Sequence, residues 1–440
     1  MRWLFYNTVF TLLYLLLLPH FVLRMLRRGG YKERFWDRFG RLPSDVVQRL
    51  KASPGRIWIH AVSVGEVFVA GQVMREMRRQ APAIQFLFST TTSTGWTQAQ
   101  KQIGAQDVLI YCPLDLSCCV QRVVKLVQPA ALILTESEIW PNLIHCCAAA
   151  KVSIFLINAR VSDRSAPRYV KLRWWFAPIF RMFTLIMAQS ELDKRRLVAA
   201  GADAGRIQIC GSFKFDVAHR DLKKEEELRA WLDSHGVTAN KLILLGGSTW
   251  PGEDQILIDA YRALAPDYPQ LRLVIVPRHF EKADAVEDNI ARSGLICVRK
   301  SRDASSPEGD TSLMASVLLA DTTGELMGFY GLSQIVFVGK SLCAHGAQNM
   351  IEPCMCGAAV LVGPHIENFR AVMSDLLEAH GVIQIAAEEM LLEQVELLLG
   401  DEQARRALGI RAAAVVTARK GVVERCAKQM LEIVKAKKAQ

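Results

Sequence analysis

At 440 residues and 51% hydrophobic, the chain outgrows a single core, which stops enlarging at about 250 to 300 residues, so two domains are expected. A net charge of +10 suits nucleic acid, anionic lipid or phosphorylated substrates and does not choose among them. The cysteines include the pairs Cys118-Cys119 and Cys146-Cys147 and the close Cys354-x-Cys356, without C-x-x-C or a His at ligand spacing beside them. That pattern argues against a disulfide frame or a zinc site and for reduced thiols in a cytosolic setting.

The N-terminus is a nearly unbroken apolar run from Trp3 to Leu23, followed by Arg24, Arg27, Arg28, Lys32 and Arg34. It is long enough to span a bilayer and lacks a small-residue cleavage site, so residues 1–28 are expected to be a membrane anchor. The basic flank keeps the body of the protein on the cytoplasmic side. Asn7, Pro19 and His20 leave an interfacial helix as the alternative.

Short apolar runs then alternate with helical patterns: Arg56 to Val62, Ile84 to Ser89, Val108 to Tyr111, Ala131 to Thr135, Ser153 to Asn158, Leu185 to Gln189 and Ile207 to Cys210. Such alternation predicts a parallel, doubly wound sheet. The charged stretch from Asp216 to Asn240 marks the boundary, giving domains at 29–220 and 221–440. A second series follows at Lys241 to Gly246, Arg272 to Val276, Ser316 to Ala320, Gln334 to Gly339 and Ala359 to Gly363, with an exposed loop at Ser301 to Asp310 and helices at the C-terminus. The predicted architecture is two Rossmann-like domains facing a cleft.

Candidate chemistry sits where these strands end. The run Arg56 to Val62 leads into Ser63-Val-Gly-Glu66, which places a carboxylate at the carboxyl end of a strand, where open α/β sheets bind ligands. The same spacing is that of a capping box, in which Ser63 and Glu66 satisfy first-turn amides. Glu136 and Glu138 follow the fourth run, and alternation in an extended segment sends them the same way, as a metal pair or an acid and a base; the alternative is ordinary charge before a helix. Asn158-Ala-Arg160 and Gly211-Ser-Phe-Lys-Phe-Asp216 add cations, Lys214 among them.

In the second half, Pro277-Arg-His279 ends a strand, while Asp321-Thr-Thr-Gly-Glu-Leu326 and Gly346-Ala-Gln-Asn-Met-Ile-Glu352 open helices whose amides suit phosphate. Arg278 supplies a cation and Glu352 an acceptor for ribose hydroxyls. Thr322 to Glu325 and Asn349 to Glu352 also have cap spacing. No G-x-G-x-x-G or Walker A sequence is present. Arg168, Lys171, Arg173, Trp174, Trp175, Phe176, Phe180 and Arg181 interleave as at a membrane interface or on a partly buried helix.

Together these segments resemble the 3-deoxy-D-manno-oct-2-ulosonic acid (Kdo) transferases of Gram-negative bacteria. The resemblance is carried by His60-Ala-Val-Ser-Val-Gly-Glu66, Thr135-Glu-Ser-Glu-Ile-Trp-Pro-Asn142, Asn158-Ala-Arg160, Gly211 to Asp216, Pro277-Arg-His279, Asp321 to Leu326 and Gly363-Pro-His-Ile-Glu-Asn-Phe369. It implies a GT-B glycosyltransferase at the inner membrane that moves one or more Kdo units from CMP-Kdo onto the lipid A precursor, with inversion and with neither nucleic acid nor metal. It implies Glu66 as general base, and Glu136 and Lys214 as aids to the transition state. CMP would be held by Pro277, Arg278, Gly324, Glu325, Leu326, Asn349, Met350, Ile351 and Glu352. The chain departs from the family's usual residues at Trp250, Lys340 and Gln348. Rival readings are another GT-B glycosyltransferase, a nucleotide-sugar epimerase, or a membrane-tethered nucleotide-binding protein without catalysis.

Overall fold

The computed structural model describes residues 3, 6–17, 34–217, 220–302 and 316–438. The chain forms two compact units, residues 1–217 with 421–440, and residues 218–420. In the first, strands Ile57–His60 (β1), Phe86–Thr90 (β2), Val108–Tyr111 (β3), Ala131–Thr135 (β4), Ser153–Ala159 (β5), Leu185–Ala188 (β6) and Ile207–Ile209 (β7) form one sheet in the order β3-β2-β1-β4-β5-β6-β7, every pair parallel. Helices cover both faces, so strands read as continuous apolar runs rather than alternating ones. Within β1 the pleat still sorts its residues: Trp58 enters one core layer, Ile57 and Ile59 the other.

The second unit repeats the plan with Leu242–Thr249 (β8), Leu271–Pro277 (β9), Ile296–Arg299 (β10), Ser316–Leu319 (β11), Ile335–Val338 (β12), Ala359–Val362 (β13) and Val382–Gln384 (β14), in the order β10-β11-β9-β8-β12-β13-β14. The sequence reading misses β10 and β14, the two edges of this sheet. Paired on one side only, they need no continuous apolar run. Most of the expected loop at 301–310 lies outside the described residues.

One domain assignment is corrected. Residues 421–440 belong to the first unit, although the sequence reading gives everything after 221 to the second. The helix Val422–Lys438 buries Val422, Val423, Cys426, Ala427, Met430, Leu431 and Val434 in the core layer that holds Val67 and Val73. Asp216 fastens its start by accepting hydrogen bonds from the main-chain N–H groups of Gly421 and Val423, both at 2.6 Å. Helical periodicity announces that a face must be buried, but not against which sheet.

At the N-terminus, residues 6–17 are helical and residues 18–33, with most of the basic flank, lie outside the described residues. No described helix is long and apolar enough to cross a membrane. Asn7, which sits awkwardly in a membrane segment, has a docking role: its amide oxygen accepts from Asn142 Nδ2 at 2.8 Å. Tyr6 donates to Asp115 at 2.7 Å, and Trp3 stacks on His145 with centroids 4.1 Å apart. Beyond that turn, Leu12, Leu13, Leu15, Leu16 and Leu17 are exposed.

Candidate functional site

In the first sheet the strand order reverses between β1 and β4, where a doubly wound sheet opens a crevice beyond its carboxyl ends. Glu66 and Thr135 stand on either side of that point. The capping box is formed: Ser63 Oγ accepts from the Glu66 N–H at 3.3 Å and donates to Glu66 Oε1 at 2.8 Å. The other carboxylate oxygen reaches past the cap, accepting from the Val62 N–H at 3.0 Å and from the Thr135 hydroxyl at 2.8 Å. Glu66 is therefore a cap and also a tie between β1 and β4. It keeps 8% exposure.

Glu136 and Glu138 do not share the extended geometry that alternation predicts. Glu136 adopts φ 49°, a turn follows, and the two side chains find different partners. The Glu136 carboxylate accepts from Arg160 Nε at 3.1 Å and Asn158 Nδ2 at 3.3 Å. Glu138 accepts from the Trp140 indole at 2.8 Å; burial, with the Glu66 charge behind it, pushes its carboxyl up to about 7. Trp140 in turn stands edge to face with His60, whose imidazole burial brings down to about 4.

Lys214 opens the short helix Lys214–Val217 between the buried rings of Phe213 and Phe215. Burial brings its ammonium down to about 8; Glu136 opposes that fall and Arg160 adds to it. Asn158 assembles this group. Fully buried at the end of β5 with φ 51°, it donates to Glu136 and accepts from the Phe213 N–H at 3.1 Å, so one amide joins β4, β5 and the Lys214 segment. Glu136, Arg160 and Lys214 thus form one cluster. Asn158 entered the sequence reading only as part of a motif.

In the second sheet the reversal lies between β8 and β12. Arg278 leaves β9, its N–H donating to the Thr249 carbonyl at 3.0 Å, and its exposed side chain forms no ion pair among the described residues. Gly324 has φ 84° with nothing among the described residues near the position of a Cβ, so main chain is open there. The Glu325 carboxylate is held by Lys300 Nζ at 3.1 Å and by the Thr322 hydroxyl, while the helix Leu326–Leu332 begins without a side-chain cap. The cap spacing at Thr322 thus joins two side chains and leaves the first amides open. Asn349 does act as a local cap: it accepts from the Ile351 N–H at 3.1 Å and donates to Glu352 at 2.9 Å. Met350 and Ile351 are wholly buried.

One carboxylate escaped the sequence reading. Glu253 is fully buried and accepts from the N–H groups of Trp250 (2.8 Å), Lys340 (2.7 Å), Ser341 (3.0 Å), Leu342 (3.0 Å) and Cys343 (3.4 Å), pinning the turn after β8 to the loop after β12. The signal was present, since Gly252-Glu253 after β8 repeats Gly65-Glu66 after β1. Another unforeseen group is His345, His365 and Glu367, the one set of three possible metal ligands among the described residues; His345 and Glu367 are exposed, His365 is half-buried, and His345 Nδ1 already shares a hydrogen bond with Glu367 at 2.8 Å.

Two parallel-sheet α/β units with functional groups at their strand ends resemble the GT-B fold. The fold is shared with a glycosyltransferase from Rickettsia africae (TM-score 0.59, 12% identity, covering 87% of this chain and 98% of that one). It is equally shared with a UDP-GlcNAc 2-epimerase from Neisseria meningitidis (TM-score 0.58, 14% identity, 85% and 100%). Sequence is more discriminating than fold here. Residues 33–217 match the family model for 3-deoxy-D-manno-octulosonic-acid transferase. The 3-deoxy-D-manno-octulosonic acid transferase of Haemophilus influenzae is 32% identical over 425 residues, 96% of each chain, and that of Bordetella pertussis 31% identical over 415 residues, 91% of this chain and 92% of the relative. The chain belongs to the Kdo transferase family and is a glycosyltransferase.

Proposed function

We propose that the chain moves Kdo from CMP-Kdo onto a sugar hydroxyl of a lipid A precursor, inverting the anomeric carbon, with Glu66 as the base. The observation that carries this reading is the contrast between the two Gly-Glu turns. Glu253 is 0% exposed and saturated by main-chain N–H groups, whereas Glu66 is 8% exposed and two of its donors are hydroxyls that are free to rotate. A carboxylate has about four acceptor sites, so Glu66 retains one for an incoming hydroxyl. In this reading Glu66 takes the acceptor proton as the new C–O bond forms, a role worth typically 10² to 10⁴ in rate.

Lys214, with Glu136 and Arg160 beside it, would meet charge developing on the reacting sugar. Pro277, Arg278 and the open main chain from Gly324 to Leu326 would hold the CMP phosphate as it leaves, and Asn349 to Glu352 the ribose. No metal is required by this reading, because Glu136 is already paired with Arg160. Action at a membrane surface, in this reading the inner membrane, is supported by the exposed leucines of residues 12–17 and by exposed Val170, Leu172 and Trp174 beside Arg168, Lys171 and Arg173.

Incubation with CMP-Kdo and a tetraacylated lipid A precursor, followed by mass spectrometry, tests the reading and counts the sugars added. Products heavier by whole Kdo units are expected. CMP binding without any product would leave a nucleotide-binding protein, and turnover of a UDP-sugar instead would leave an epimerase.

A further inference from the structure

At the reversal point of the second sheet, three neighbouring strands end in a row of large side chains. Arg278 and His279 follow β9, Trp250 follows β8 and Lys340 follows β12. Trp250 stands between the others: His279 lies against its ring at 5.4 Å between centroids, and Lys340 Nζ sits 4.7 Å from its ring centroid on a cation–π contact.

Lys340 is held there at a conformational cost. Its φ is 58°, in the left-handed region that glycine enters freely and a Cβ-bearing residue enters against steric resistance. The main chain leaves no alternative: the Lys340 N–H is tied to Glu253 and its carbonyl accepts from the Ala347 N–H at 2.9 Å. A glycine would satisfy the same bonds without strain, so the backbone does not explain the lysine. Nor does an ion pair, because no carboxylate among the described residues lies within ion-pair distance of its ammonium. Trp250 adds an independent sign of a missing partner, since its buried indole Nε1 has no hydrogen-bond acceptor among the described residues.

We propose that Lys340, braced over Trp250, is a donor-binding residue that pairs with the carboxylate of the transferred sugar acid. The proposal rests on the CMP-Kdo reading above. That donor carries two anionic groups, a phosphodiester and the carboxylate of Kdo. Arg278 and the open main chain at Gly324 serve the first; Lys340 is the cation left for the second, on the opposite side of β8. The pairing sets preference for an acidic sugar over a neutral one bearing the same nucleotide.

The test is initial-rate transfer by the full chain with Lys340→Met, which keeps the stem and the backbone strain and removes the charge. KM for CMP-Kdo should rise about tenfold with kcat little changed, inhibition by CMP alone should be unaffected, and Lys340→Arg should restore most of the loss. Lys340→Gly should raise KM equally while leaving the thermal midpoint unchanged or higher, because it relieves strain as it deletes the charge. An unchanged KM in Lys340→Met overturns the proposal and makes the lysine a packing partner of Trp250. CMP inhibition weakened in parallel with KM also overturns it, since the ammonium would then serve the phosphate. If the wild-type chain does not use CMP-Kdo at all, the functional reading has failed, and the variants are not what decided it.

Discussion

Replacing Glu66 by Gln separates the cap from the base. The substitution is nearly isosteric, and the hydrogen bonds around it can be rebuilt: the amide oxygen takes the place of Oε2, keeping the Val62 N–H and Thr135 hydroxyl, while the amide nitrogen donates to Ser63 Oγ. What is lost is the charge on those bonds, about 0.5 to 1 kcal/mol of stability. A cap deleted outright, as in Glu66→Ala, costs about 0.5 to 2 kcal/mol. Loss of a general base costs about 10² to 10⁴ in rate, or about 2.7 to 5.4 kcal/mol of barrier. Glu66→Gln should therefore unfold within a few degrees of the wild type and bind CMP nearly as well, because the proposed nucleotide contacts all lie in the second unit, while transfer falls at least a hundredfold. Thermal unfolding, CMP titration and initial-rate transfer on one preparation read all three. Near-normal kcat in the folded variant would refute the reasoning and reduce Glu66 to a tie between β1 and β4.

Lys214 carries a pH signature. Because burial lowers its pKa to about 8, the native state binds fewer protons than the unfolded chain between about 8 and the ordinary lysine value, so stability gains from this residue as pH rises through that window. Lys214→Met should flatten that gain and hold or raise the melting midpoint, yet lower transfer at least about tenfold; wild-type transfer should decline as pH passes about 8, and a flat profile to pH 9.5 would count against a cationic role. Leu13→Glu with Leu16→Glu places charge on side chains 51% and 74% exposed, and should reduce partition onto anionic vesicles without changing CMP affinity. Unchanged partition would remove this helix from membrane contact. Chelation by EDTA should change transfer little while Arg278→Ala lowers it at least about tenfold; loss in EDTA with rescue by magnesium would put a metal in the mechanism.

Much of this protein is legible in its sequence because the signals are local. Strands covered on both faces read as largely apolar runs, so the inner strands of both sheets announce themselves, and the edges β3 and β7 of the first sheet keep enough apolar residues to be read as well; the turn residues after the strands mark the ends where ligands bind. The short edge strands β10 and β14 carry no such run. Glu66, Glu136, Lys214 and Arg278 stand out because charged residues directly after apolar runs are conspicuous. Glu253 was equally conspicuous in type, but its importance comes from four consecutive amides that begin 87 residues further along, which no spacing rule connects to it.

Tertiary structure alone decided three further matters. It returned the last helix to the first unit, because an amphipathic face is satisfied by whichever apolar layer reaches it, and Asp216 offers the start of that helix a cap. It parted Glu136 from Glu138, because one left-handed residue cancels the alternation that an extended strand would impose. It also brought Lys340 onto Trp250, two residues that neighbour each other only because β8 and β12 pair across the point where the strand order reverses. Local sequence specifies which elements form and where they end. The pairing of distant strands, driven by burial of faces that carry no address, decides which of those ends become one site.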